Sequence, residues 1–115
     1  MRDVHWIKAA LKAFKAFPTP VKSDANAILV ALSMGERAAS VKRLKHMNGA
    51  VFEIVLRHRT DAFRVVYVTE LDDAIWVVHA FQKKSKSGIS TPKPEIDLIR
   101  SRLKRLKDIL DEQGR

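Results

Sequence analysis

The chain has 115 residues, 46% of them hydrophobic, with 22 Lys and Arg against 13 Asp and Glu for a net charge of +9. That length and composition fit one domain, residues 1–115, with a modest core, and exclude a disordered chain. No cysteine is present, so disulfides and thiolate metal sites are excluded, and no apolar run reaches the roughly 18 residues of a membrane span.

The segment MRDVHWIKAALKAFKAF carries charge every few residues, unlike a secretory signal, and a cytoplasmic protein is expected. Asp3 to Lys8 reads as a short strand. Ala9 to Ala16 is rich in helix formers and is interrupted by Pro18 and Pro20. From Pro20 a second helix is predicted, with Val21, Ala25, Ile28, Leu29 and Leu32 as its apolar stripe and Gly35 as its stop. Residues 9–35 thus read as a helical hairpin that covers a sheet. Val41 to Met47 is a basic stretch around Leu44, and Asn48-Gly49 marks a turn.

Three strands follow. In Val51 to Arg57, Phe52, Ile54 and Leu56 alternate with Glu53, Val55 and Arg57. In Phe63 to Glu70, Phe63, Val65 and Tyr67 oppose Arg64, Val66 and Val68. Ala74 to Phe81 is apolar on both faces, as a central strand is. Short connections make these an antiparallel meander. Gln82 to Thr91 is a polar, basic loop. Pro92 and Pro94 open a last helix with the stripe Ile96, Ile99, Leu103, Leu106 and Leu110. The predicted class is α+β, in the order β-α-α-β-β-β-α: two N-terminal helices and a C-terminal helix packed on a small antiparallel sheet.

The charge points to an anionic partner. Its excess is largest in residues 42–93, with ten Lys and Arg against five Asp and Glu. Arg57 and Arg64 interrupt strands that are otherwise mostly apolar. Either Glu53 pairs with one of them across the sheet, or they belong to a site. Lys83, Lys84, Ser85 and Lys86 follow a buried strand and are held by it. Together with Lys45, His46 and Arg59 they form a candidate phosphate- and RNA-binding set. Cleavage of RNA by its own 2′-OH needs a base, an acid and cations for the added negative charge. Glu53 and His58 are the candidate acid and base. The four histidines have no metal-ligand spacing, and neither metal nor cofactor is expected.

The string HAFQKKSKSGISTPKPEIDLIRSRL, with FEIVLRHRTDAFRVVY and KHMNG upstream, resembles the phage Gp49-like, HigB-like branch of the RelE/ParE toxin superfamily. The likeness extends over nearly the whole chain. It implies a RelE-type fold and the toxin of a type II toxin–antitoxin pair. RelE and HigB relatives are metal-independent endoribonucleases that cut mRNA, commonly on the translating ribosome. The implied partners are message, ribosome and a cognate antitoxin with a helix-turn-helix domain.

Residue by residue, the phosphate-stabilising arginine of the family's strand falls on Arg64, in FRVVY. The family's basic position after the last strand falls on Lys83 and Lys84, with lysine in place of arginine. Its two strand lysines fall on Glu53 and Val55 and are missing, with Arg57 two residues further on. The implied catalytic set is Arg64, Lys84, Lys83 and Arg57, and Arg64→Ala is expected to abolish toxicity without unfolding the chain. Two other readings differ in class: a ParE-like poison of DNA gyrase, and a basic nucleic-acid-binding protein without catalysis.

Overall fold

In the computed structural model the chain divides into two compact units, Met1–Ser85 and Lys86–Arg115. The structure describes residues 1–45, 47–83 and 91–113.

The first unit holds five strands and two helices: β1 (Val4–Trp6), α1 (Lys8–Lys15), α2 (Thr19–Ser33), β2 (Val41–Arg43), β3 (Val51–His58), β4 (Asp61–Val68) and β5 (Ile75–Lys83). The second holds α3 (Lys93–Glu112). The α+β class stands, with one added strand and one correction, since the sheet is not purely antiparallel. The basic stretch after residue 40 supplies a further strand, β2, which hairpins onto β3 across the turn at Asn48-Gly49. And β1 joins the far edge parallel to β5, so the sheet is mixed, in the order β1-β5-β4-β3-β2. A parallel partner cannot come through a short turn. Here it comes from the chain start, because α1 and α2 carry the chain from one sheet edge to the other.

The helices form where the sequence places them. In α1, Ala10 and Phe14 are four residues apart and buried, while Lys8, Lys12 and Lys15 are exposed. In α2, Val21, Ala25 and Leu29 are buried at the same spacing. Its end is closed by Gly35 at φ +84, where glycine carries no steric cost. These side chains meet Ile54, Leu56, Phe63, Val65, Tyr67, Ile75, Val77 and Ala80 in one core on one face of the sheet. In α3, Ile96, Ile99, Leu103, Leu106 and Leu110 are buried as one stripe.

Antiparallel partners point to the same face, so register assigns every side chain. The pairing of β4 with β5 is regular from Ala62↔Lys83 to Val66↔His79 and then jumps to Tyr67↔Val77. Val78 is the extra residue of a bulge. Before the bulge Ile75 and Val77 face the helices; after it Ala80 does. His79, Phe81 and Lys83 therefore share the opposite face with Val66, Arg64 and Ala62.

The turn between β2 and β3 has a strict requirement. Gly49 has φ +83, and a Cβ there would lie 2.8 Å from Oε1 of Glu70, which accepts a hydrogen bond from the Ala50 amide. Gly49→Ala is expected to lower stability by about 1–3 kcal/mol, through the left-handed backbone and the displaced carboxylate. Urea unfolding checks it, and a midpoint equal to wild type would refute it.

Candidate functional site

The face of the sheet away from α1 and α2 carries Lys42, Glu53, Arg57, Arg64 and Lys83. Three cross-strand rows define it. The first is Arg57↔Ala62↔Lys83, beside the tip of the β3–β4 hairpin. The second is Val55↔Arg64↔Phe81 and the third Glu53↔Val66↔His79, with Lys42 of β2 opposite Glu53. Arg57 is exposed and Lys83 is half-buried. They flank the small Ala62 two strands apart, so their backbones lie about 10 Å from one another.

Behind that row lies a buried ion pair. Arg64 is 2% exposed and Glu53 1%, and Nη1 of Arg64 donates to Oε1 of Glu53 at 2.8 Å. Of the two readings that the sequence leaves open for Arg64, cross-sheet pairing with Glu53 is thus realised. Lys42 adds a looser contact to the same oxygen, at 3.6 Å, with 47% of its side chain exposed. His79 is buried with its ring stacked on Phe81, centroids 5.2 Å apart. Arg64 does not reach the surface in this arrangement, so an anion at the surface meets Arg57 and Lys83 first.

The other proposed residues are spread more widely. Arg59 is exposed at the hairpin tip with φ +58, near the Arg57 row. His58 belongs to the helix face, its ring 6.4 Å from Phe63, and so lies across the sheet from Arg64. Lys45 is exposed just past β2, where the Leu44 amide bonds the Val51 carbonyl. Arg57 lies six residues along β3 from Val51, about 20 Å of strand. Lys45 therefore does not join Arg57 and Lys83. Lys84, Ser85, Lys86 and His46 lie outside the described residues. Lys42 is the residue that the sequence reading missed. Its signal was the Val41-Lys42-Arg43 alternation before Asn48-Gly49, legible only once that stretch is read as a strand.

The helix face holds the chain's one tyrosine. Tyr67 stacks on Phe52 at 5.5 Å, and the Arg43 guanidinium carbon lies 5.9 Å over the Phe52 ring. Burial pushes the Tyr67 phenol up to about 12, so it keeps its proton at neutral pH. Between pH 10 and 12 the unfolded chain has lost a phenol proton that the folded chain retains. Stability therefore falls as pH rises through that window. Tyr67→Phe is expected to remove this fall, of at most about 1.4 kcal/mol per pH unit. Denaturation midpoints at pH 9 and 11 check it, and parallel losses in both proteins would refute it.

Among the described residues, no three His, Asp or Glu come together as a metal site, and no helix is long and apolar enough to cross a membrane.

The family model for phage derived protein Gp49-like matches residues 12–104. No curated protein matches the chain. Among solved structures, the isolated RelE toxin of E. coli is similar at 19% identity and a TM-score of 0.59, covering 76% of this chain and 88% of that one. A RelE variant with two arginines changed to alanine, in the free state, is similar at 20% identity and a TM-score of 0.56, covering 69% and 80%. So is a chain of the intact E. coli RelBE toxin–antitoxin complex, at 20% identity and 0.57, covering 76% and 100%. At these identities the likeness shows a common fold.

Proposed function

From the premise that this chain belongs to the Gp49-like family of phage-derived proteins and has a RelE-like fold, we propose that it is the toxin of a type II toxin–antitoxin system. In this reading it is a metal-independent endoribonuclease that cleaves mRNA on the translating ribosome, in the cytoplasm. A cognate antitoxin with a helix-turn-helix domain neutralises it. The observation that carries the reading is the row Arg57–Ala62–Lys83, with cations on two strands of one sheet face. One of the similar structures is a toxin–antitoxin complex, which supports the antitoxin partner.

Message meets the Arg57 row at the margin of this face by its phosphates. Arg57 grips a phosphate with its planar fork, and Lys83 adds a point charge from the other side. Both stabilise the charge that builds up as a 2′-OH attacks, and Arg64 contributes its charge from one row behind. Lys84 also belongs to the proposed catalytic set, and the ribosome supplies alignment of the substrate.

Induction of the chain in bacteria without its partner, beside Lys83→Ala, tests the reading through mapped 5′ ends of messages. New ends inside coding regions, absent in the variant, support it. Growth arrest with intact messages and broken chromosomes would move the function to gyrase poisoning. No arrest and no cleavage would leave a binding protein.

A further inference from the structure

The edge strand brings one more cation to the site face. Lys42 stands opposite Glu53, whose side chain occupies the face of Arg57, Arg64 and Lys83. Glu53 is shared by two cations, and the two contacts are unequal: Arg64 is buried at 2.8 Å, whereas Lys42 is half-exposed at 3.6 Å. Arg64 is thus the close partner, and Lys42 is aimed by the carboxylate while its ammonium meets solvent. A half-exposed ion pair adds little to stability, so the pairing orients Lys42 more than it holds the fold.

We propose that Lys42 is a phosphate-binding residue of this face, positioned by Glu53; this rests on the RNA reading above. The Glu53 and Arg57 rows are four residues apart on β3, about 13 Å. Lys42 sits one strand further out, about 5 Å. Lys83 lies two strands beyond Arg57, so a phosphate gripped between Arg57 and Lys83 is out of reach of an ammonium held at Glu53. Lys42 therefore holds a second phosphate of the same strand, away from the scissile one, and its contribution falls on binding rather than on the chemical step. Glu53, at 1% exposure between two cations, acts on RNA through Lys42 and takes no proton from it.

The test uses purified full-length chain and a 2′-O-methyl RNA oligonucleotide, which binds without being cut. Affinity is measured from low to moderate salt for wild type, Lys42→Ala and Lys42→Arg, with melting curves for each. The expected result is at least fivefold weaker binding by Lys42→Ala at low salt. Its log–log salt slope should be shallower by about 0.7, the share of one phosphate contact on a single strand. Lys42→Arg should restore both, with all three melting together. Equal affinity and slope for wild type and Lys42→Ala would overturn the proposal while the RNA reading stands. So would a Lys42→Ala defect accompanied by a lowered melting temperature and not rescued by arginine, because that marks a structural role. Wild-type affinity that is absent or indifferent to salt would overturn the RNA reading itself and the Lys42 role with it.

Discussion

Arg64→Ala is expected to destabilise the first unit by about 3–5 kcal/mol, a large part of the stability of a domain this size. The substitution leaves Glu53 at 1% exposure without its 2.8 Å partner, and the half-exposed Lys42 at 3.6 Å is a poor replacement. This reverses the expectation from sequence that the variant stays folded. A loss of toxicity in Arg64→Ala is therefore no evidence for chemistry by Arg64. Replacing both partners, as Glu53→Leu with Arg64→Met, should cost less than either single change, since neither charge is then stranded. Urea unfolding of the four proteins measures this directly. An Arg64→Ala midpoint within error of wild type would show that the pair carries no such weight.

The second large effect is expected at the surface row. Arg57→Ala and Lys83→Ala should each slow single-turnover RNA cleavage by about 10²-fold, the usual loss when one donor to a developing anion is removed. Stability should change by less than about 1 kcal/mol, because Arg57 is exposed and Lys83 closes the end of its strand. If both side chains serve one phosphate, their losses are not independent. The double variant should then fall well short of 10⁴-fold. Full multiplicativity would place the two cations on separate phosphates. Unchanged rates in both single variants would remove this row from the mechanism.

Most of the scaffold was legible because its signals are local. The stripe Val21, Ala25 and Leu29, the alternation in β3, and the turn at Asn48-Gly49 each follow from a few neighbouring residues. The parallel docking of β1 was not legible, since the direction of an added edge strand depends on a helical crossover. Strand β2 was hidden by its own composition: three residues, two of them cations, do not look like a strand until β3 is there to pair with. The site divided along the same line. Arg57 and Arg64 could be named from sequence as interruptions of apolar strands, and Lys83 as part of a basic loop after one, although it proves to be the last residue of β5. That Arg64 would be covered and Arg57 exposed depends on side chains far away in the chain. That His58 falls on the opposite face follows from a hairpin tip of only two residues, which brings the His58↔Asp61 pair into the ladder.

The bulge at Val78 bears on how such proteins diversify. Val77 and His79 pair with the adjacent Tyr67 and Val66, so the extra residue is absorbed within the strand and the ladder resumes beyond it. Deleting Val78 would leave an unbroken ladder in which Lys83 still stands opposite Ala62, whereas a ladder that kept every residue and no bulge would turn Lys83 toward the helices and bring Gln82 into its place. A lineage could therefore lose Val78 itself and keep both the cationic row and a well-packed sheet. A gap between His79 and Lys83 that left the bulge in place would instead turn Lys83 to the helix face, even with every basic residue retained.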